Sequence, residues 1–207
     1  DVVGRARALG WITDVDAREM ARRASEGDAL MLGARRLIRR LIGAAVSGTT
    51  PSEVEILMRC PHCRSGSHGP PVFGAADSST MTISSSSSGA ILTVAVASGS
   101  IGVDTELSGR AELVRNWPPD VLSFFDLVGE MYPGASSPAE LWTALEAVAK
   151  TTGLGLVARH GDLRGALETH SLTWWRSDLG ATSCVALALE VDASDLTLAA
   201  LALPELD

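Results

Sequence analysis

The chain has 207 residues, of which 46% are hydrophobic and 4% aromatic, and its formal net charge is −8; such a composition supports a substantial core and excludes a disordered chain. Charge is uneven, because the first 64 residues hold 11 basic against 8 acidic residues and the remainder hold 6 basic against 17 acidic. The sequence has no dense basic patch interleaved with aromatic residues and no apolar run of spanning length, so it indicates neither a nucleic-acid partner nor a membrane segment.

The cysteines indicate a reducing compartment. There are three, Cys60, Cys63 and Cys184, and an odd number with one Cys-x-x-Cys pair does not suit a disulfide framework in a core of this size. No signal-peptide pattern is visible. We therefore expect a cytoplasmic protein.

The first part of the chain has the pattern of a helix followed by strands. Apolar residues at three- and four-residue spacing predict one long amphipathic helix from Asp16 to Ala45, with a break near Gly27. A short strand is predicted over Val54 to Met58, and the loop "CPHCRSGSHGPP" follows it.

The serine-rich run "SSTMTISSSSSG" allows two interpretations. Serine tracts build no core, which is typical of a flexible linker. However, Met81 and Ile83 alternate with polar residues, and "GAILTVAVA" follows as an apolar segment typical of a buried strand. The pattern therefore predicts a strand, a tight turn and a second strand, after which "GSIGVDTEL" forms a further β segment.

The second part of the chain repeats the order of helix and strand. Helices are predicted from Pro118 to Met131 and from Ser137 to Thr152, the second with Pro138 in its first turn and Gly153 just beyond its end. The stretch "GDLRGALET" reads as a surface turn. Shorter β segments are predicted over Leu154 to Arg159, His170 to Arg176 and Ser183 to Val191.

The order of these elements defines the expected fold class. Each part runs helix first and strands later, which favours two similar units packed together. We expect an α+β fold of two pseudo-symmetric halves, residues 1–100 and 101–207, each with a long helix packed on a small antiparallel sheet.

Two acidic side chains close the apolar segment. Asp104 and Glu106 are two residues apart, so in an extended strand they share one face about 7 Å apart and can reach one small cation. Such oxygen ligands suit Mg²⁺, which takes one or two carboxylates and leaves its other positions to water and phosphates. Glu146 and Lys150, the only lysine of the chain, share a helix face. The ordinary alternatives are a solvated strand end and a surface ion pair.

Several motifs together resemble one enzyme family. "IGVDTE" and, further along, "LWTALEAVAKTTGLGL" resemble the 4'-phosphopantetheinyl transferases of the surfactin-synthetase-activating type, with the patterns Gly-Val/Ile-Asp-x-Glu and Trp-x-x-Lys-Glu-Ala-x-x-Lys-x-x-Gly-x-Gly-Leu. "RCPHCRSGSHGPP" resembles the Cys-x-x-Cys-Gly-x-x-His-Gly-Lys-Pro loop of actinobacterial members, and "SSSSSGAILTVAVA" resembles their Ser-His-Ser-x-Gly turn. The second motif matches at Trp142, Glu146, Ala147, Lys150, Gly153, Gly155 and Leu156.

The resemblance implies a monomeric transferase with coenzyme A and Mg²⁺ in a cleft between the two halves. A serine hydroxyl of an acyl or peptidyl carrier protein would attack the pyrophosphate of coenzyme A, and 3',5'-ADP would leave, in the service of a polyketide or nonribosomal peptide synthase. By the same resemblance Asp104, Glu106 and Glu146 would hold the metal. Glu146 would also take the serine proton, and Lys150 would stabilise or protonate the leaving phosphate.

The chain departs from the family where coenzyme A phosphates would bind. Pro70 replaces the lysine of His-Gly-Lys-Pro, Ser87 the histidine of Ser-His-Ser, and Leu145 the lysine of Lys-Glu-Ala, while Leu30 and Met31 stand where an Arg or Lys is usual. Each lost cation removes a charge-assisted contact worth roughly 1.5–3 kcal/mol. The remaining candidates for phosphate binding are Ser86, Ser87, His68, Arg18 and Arg22, with Arg23, Arg35 and Arg36 as further substitutes.

Two interpretations follow from this pattern. In one, the protein is a divergent transferase with a rebuilt phosphate site. In the other, it has lost coenzyme A binding and acts on a carrier-tethered or released intermediate, or only binds a synthase.

The Cys-x-x-Cys loop has an alternative of its own. Cys60, His62, Cys63 and His68 supply ligand types that Zn²⁺ prefers, although a second cysteine pair is missing. A loop ordered by packing alone is the other interpretation.

Overall fold

Six helices and eight strands form the part of the chain that the computed structural model describes, residues 2–60, 63–65, 69–74, 81–107, 119–135, 137–154, 160–178, 180–192 and 196–202. The helices are α1 (Val2–Ala8), α2 (Asp14–Met20), α3 (Glu26–Ser47), α4 (Pro119–Met131), α5 (Pro138–Thr151) and α6 (His160–Thr169). The strands are β1 (Glu55–Met58), β2 (Pro71–Gly74), β3 (Thr82–Ser88), β4 (Ile91–Ala97), β5 (Ile101–Leu107), β6 (His170–Arg176), β7 (Ala181–Ala188) and β8 (Thr197–Ala202).

The strands form two antiparallel sheets. The first sheet has the order β1-β2-β3-β4-β8 and the second β5-β7-β6. Strand β8, from the far end of the chain, pairs with β4 in a register that joins Ile91 to Ala202. The fold is therefore α+β with two small antiparallel sheets, and the first sheet draws strands from both ends of the chain.

The two sheets lie between layers of helix. Apolar residues of α3 pack on one face of the first sheet, against Phe73, Ile83, Leu92, Val94 and Val96. The two sheets meet through Ala95, Ala97, Ile101, Val103, Val185 and Leu187. The far face of the second sheet packs against α4, α5 and α6 through Phe124, Val128, Ala144, Val148, Leu167, Cys184 and Ala186. Helices α1 and α2 pack against α3, and Ala6, Ile12 and Leu37 form a separate small cluster there.

The serine-rich run forms a strand, as the alternation of its neighbours predicted. β3 pairs with β4 along its whole length, from Thr82 opposite Ala97 to Ser88 opposite Ile91. Gly89, with φ of 55°, stands in the turn between them. Because side chains alternate across a strand, the even-numbered serines face the second sheet and the odd-numbered serines face α3.

Several predicted boundaries differ in the structure. The long N-terminal helix is two helices, because residues 21–25 leave the helix and the side chain of Ser25 caps α3 by accepting from the Asp28 N–H. The stretch predicted as a surface turn is α6, in which Leu163 and Leu167 are buried one turn apart. Helix α1 and strands β2 and β8 were not predicted. The segment expected over residues 154–159 lies, beyond Leu154, outside the described residues.

No helix in these described ranges combines the length and apolar character needed to cross a bilayer.

The N-terminal end of α5 agrees with the sequence prediction, since Ser137 and Glu140 form a reciprocal capping box and Pro138 occupies the first turn.

A glycine sets the distance between α5 and the second sheet. A Cβ atom at Gly102 would lie 1.9 Å from the carbonyl oxygen of Ala147 and 2.8 Å from its carbon. The contact is with backbone, which cannot rotate away as a side chain can. The absence of a side chain at Gly102 therefore allows α5 to lie against β5, next to the acidic end of that strand.

We predict that Gly102→Ala lowers the free energy of unfolding by about 1–3 kcal/mol, since α5 must shift to admit the methyl group. Equilibrium urea unfolding measures this. Gly165→Ala on α6 is the matched control, because nothing lies within 4 Å of a Cβ there; a change between none and a gain of about 1 kcal/mol is expected. Equal losses in both variants would contradict the close approach at Gly102.

Candidate active site

Strand β5 is an edge strand whose outward amides are met by serine side chains. In the order β5-β7-β6, one side of β5 has no partner strand among the described residues. Half of its N–H groups therefore point away from β7. The Val103 N–H donates to Ser84 Oγ at 2.9 Å, and the Leu107 N–H donates to Ser88 Oγ at 3.2 Å. The even-numbered serines of β3 thus hold β5 in place.

The same serine face contacts both acidic residues of β5. Ser86 Oγ donates to Asp104 Oδ1 at 2.7 Å, and Ser88 Oγ donates to Glu106 Oε2 at 2.8 Å. Asp104 is 4% exposed. The pair that the sequence placed on one strand face is therefore anchored residue by residue from β3.

Helix α5 brings the other two predicted residues to Asp104. Lys150 Nζ lies 2.6 Å from Asp104 Oδ1 and also donates to the Val103 carbonyl at 3.0 Å. Glu146 Oε2, one turn earlier, lies 4.0 Å from Lys150 Nζ. The structure thus brings together Asp104, Glu146 and Lys150, which are far apart in sequence.

The carboxylates of this cluster are not fully neutralised. Burial raises the pKa of Asp104 and the charge of Glu106 adds to the rise, against the lowering effects of Lys150 and Ser86. Burial also raises the pKa of Glu146, and the negative charges of Asp104 and Glu106 add to it. Asp104 Oδ2 is buried and accepts no hydrogen bond from any described residue. Lys150 is therefore shared between Asp104 and Glu146, and burial still raises the pKa of both.

The donor set fits a magnesium ion held by few protein ligands. The donors are carboxylate oxygens, the type that Mg²⁺ prefers, and the unpartnered Asp104 Oδ2 is an orphaned buried acceptor of the kind a cation satisfies. In the described ranges no three His, Cys, Asp or Glu side chains stand together as a ready-made metal site. Mg²⁺ usually takes one or two carboxylates and completes its ligands with water and phosphate oxygens.

The described residues predicted to bind coenzyme A phosphates do not all converge, although Ser87 and Arg35 are in contact. Ser86 faces Asp104, whereas Ser87 faces α3 and accepts from Arg35 at 2.6 Å. Arg18 and Arg22 are exposed, on and just after α2, and His68 lies outside the described residues. Adjacent serines on a strand point to opposite faces, so Ser86 and Ser87 cannot both contact one ligand on one face.

The Cys-x-x-Cys loop is only partly described. Cys60 is buried and Cys63 is exposed, and both histidines of the suggested zinc set lie outside the described residues. The zinc site stays a prediction.

The positions of three residues in the site, Ser84, Ser88 and Cys184, were not identified from the sequence. Ser84 and Ser88 hold the edge of β5, and the alternation of serines beside an acidic strand was the available signal. Cys184 lies on β7, directly opposite Asp104 of β5. Burial, with a smaller contribution from the charge of Asp104, raises the pKa of its thiol. A cross-strand neighbour of this kind has no signature in the sequence.

Comparisons with known proteins add no relative: scans of the sequence found neither a matching family model nor a curated protein with significant similarity.

The carboxylate cluster predicts a pH-dependent stability. Because the pKa of Glu146 is higher in the folded than in the unfolded chain, stability falls as the pH rises between the two values. Glu146→Gln removes this fall. The variant should match the wild type below the ordinary pKa of 4.5 and exceed it by about 1 kcal/mol at neutral pH.

Urea unfolding in the presence of a chelator, from about pH 4 to about pH 8, measures this difference. Glu168→Gln is the control, since Glu168 is exposed and pairs with Arg164 at 3.2 Å on α6. A Glu146→Gln protein that is less stable than the wild type at neutral pH would show that attraction to Lys150 outweighs the repulsion.

Proposed function

We propose that the protein transfers the 4'-phosphopantetheine group of coenzyme A to a serine of an acyl or peptidyl carrier protein, with Mg²⁺. The observation that carries the proposal is the convergence of Glu146 and Lys150 on Asp104, with Lys150 Nζ 2.6 Å from Asp104 Oδ1. These are residues of the two motifs that resemble the transferases. The proposal includes the two pseudo-symmetric halves, residues 1–100 and 101–207, and a cytoplasmic monomer.

The reaction is a displacement at phosphorus. The carrier serine oxygen forms a bond to the β-phosphorus of the coenzyme A pyrophosphate, the bridging P–O bond breaks, and 3',5'-ADP leaves. Such chemistry depends on positioning and on neutralising the phosphate charge. Asp104, Glu106 and Glu146 would hold Mg²⁺, which when bound supplies charge neutralisation at the pyrophosphate.

The protein residues have separate tasks in this scheme. Glu146 would accept the proton of the serine hydroxyl, and its raised pKa makes it a better base than an ordinary carboxylate. Lys150 would stabilise the leaving phosphate. The hydrogen bonds of Ser86 and Lys150 to Asp104 would keep that carboxylate in position during the transfer.

One observation favours the second candidate, a homologue that has lost coenzyme A binding. Ser86 and Ser87, which would replace the missing phosphate-binding cations, point to opposite faces of β3 and each bond another protein group. Such a protein would act on a carrier-tethered or released intermediate, or would bind a synthase without catalysis.

We predict that apo carrier proteins incubated with this protein, coenzyme A and Mg²⁺ gain one phosphopantetheinyl mass per chain. Intact-protein mass spectrometry measures the gain. Asp104→Ala and Lys150→Met should each slow it by about a hundredfold or more, since each removes charge from the reacting centre. Circular dichroism establishes that the variants are folded.

Glu168→Gln is the matched control, because it removes an exposed carboxylate from α6 and should leave the rate unchanged. If several acyl and peptidyl carriers gain no mass while a standard transferase loads them all, the transferase proposal is wrong and the second candidate is favoured.

A further inference from the structure

Three buried hydroxyl groups link β4, β5 and β7 in one chain of hydrogen bonds. Thr105 Oγ1 donates to Thr93 Oγ1 at 2.8 Å and lies 2.9 Å from Ser183 Oγ. A hydroxyl has one hydrogen to donate, so Ser183 is the donor to Thr105. All three side chains are buried. The chain therefore runs from the second sheet through β5 into the first sheet, shielded from solvent.

This chain of hydroxyls lies directly behind the carboxylate cluster. Thr105 stands between Asp104 and Glu106 in the sequence, and its side chain points to the opposite face of β5. Its acceptor Thr93 pairs with Ser86 across β4 and β3, and Ser86 donates to Asp104 Oδ1 at 2.7 Å. One cross-strand pair of the first sheet therefore holds two consecutive residues of β5.

The hydroxyls restrict β5 in a way that its apolar contacts do not. Apolar contact is non-directional, whereas a hydrogen bond requires both a distance and an angle. A rotation of β5 about its own axis would break the bonds of Thr105 and leave buried hydroxyls without partners, which is costly. The apolar residues that join the two sheets beside the hydroxyls are Ala95, Ala97, Ile101, Val103, Val185 and Leu187.

We propose that Thr105 is a positioning residue for the carboxylate cluster. Through Thr93 and Ser183 it holds β5 in the rotation that places Asp104 Oδ1 against Lys150 Nζ. Thr105 acts through Asp104 and touches no reacting atom. Its effect on catalysis rests on the proposed function, whereas its effect on the contact between Asp104 and Lys150 does not.

The contact between Asp104 and Lys150 can be observed through a single signal. Lys150 is the only lysine of the chain, so its ammonium group gives one lysine side-chain signal in ¹H–¹⁵N spectra. Thr105→Val nearly keeps the side-chain shape and removes the hydroxyl. We expect this variant to shift the Lys150 signal and to speed its hydrogen exchange about tenfold, because the hydrogen bond to Asp104 is weakened. Thr105→Ser should keep the wild-type signal.

Thr143→Val is the matched control. The side chain of Thr143 is buried, and its hydroxyl donates within α5 to the carbonyls of Ala139 at 2.8 Å and Glu140 at 3.0 Å. The control therefore loses a buried hydroxyl from the helix that carries Lys150, without any change at β5. Its Lys150 signal should match that of the wild type.

The transfer assay gives the second readout. Thr105→Val should lower kcat and kcat/KM for coenzyme A equally, by about tenfold, since a misplaced Asp104 weakens stabilisation of the transition state. Thr105→Ser should restore both values, and Thr143→Val should change neither.

The two readouts distinguish failure of this inference from failure of the proposed function. An unchanged Lys150 signal in folded Thr105→Val, or an equal change in Thr143→Val, overturns the positioning role whatever the transfer rate. A wild-type protein that loads no carrier overturns the transferase proposal, and the Lys150 signal still decides the positioning role. If Thr105→Val does not fold, Ser183→Ala takes its place; it should shift the signal in part, and an unchanged signal there also overturns the inference.

Discussion

The architecture depends on a strand made of serines that is used on both of its faces. The hydroxyl of serine can donate and accept at once, and it is short enough to hold two layers close together. On one face Ser84, Ser86 and Ser88 serve the amides and carboxylates of β5; on the other Ser85 and Ser87 accept from the arginines of α3. In the part of the chain that the structure describes, no strand pairs with this side of β5, and these hydroxyls and α5 hold its acidic end.

The charge around β5 distinguishes this region from the rest of the fold. Buried Asp16 shows the ordinary arrangement: although burial raises its pKa, the N–H and hydroxyl of Thr13 and the charge of Arg40 hold that pKa below its usual value. Asp104 is similarly buried, yet its pKa is raised, because burial outweighs the lowering effects of Lys150 and Ser86 and the charge of Glu106 adds to the rise. An arrangement that costs stability and gathers perturbed carboxylates is typical of a site that performs chemistry.

Local sequence patterns predicted the elements whose structure depends mainly on interactions between residues close in sequence. The β3–β4 hairpin follows from alternation, the ends of α5 follow from Ser137, Pro138 and Gly153, and the convergence of Glu146 on Asp104 agrees with the motif spacing. Helix α6 was missed because Gly161 and Gly165 lower its helix propensity, while burial of Leu163 and Leu167 stabilises it. The pairing of β8 with β4 could not be predicted from local patterns. The opposite directions of Ser86 and Ser87 follow from strand alternation, but which of the two faces the second sheet depends on how the layers pack.

The claim that the even-numbered serines position β5 is tested most directly by amide hydrogen exchange at Val103 and Leu107. Because a buried N–H that loses its acceptor costs about 1–3 kcal/mol, Ser84→Ala should speed exchange at Val103 by about tenfold and leave Leu107 nearly unchanged. Ser88→Ala should do the reverse, and Ser85→Ala, on the other face, should affect neither amide. Unchanged exchange in the first two variants, or the same change at both amides in all three, would contradict the account.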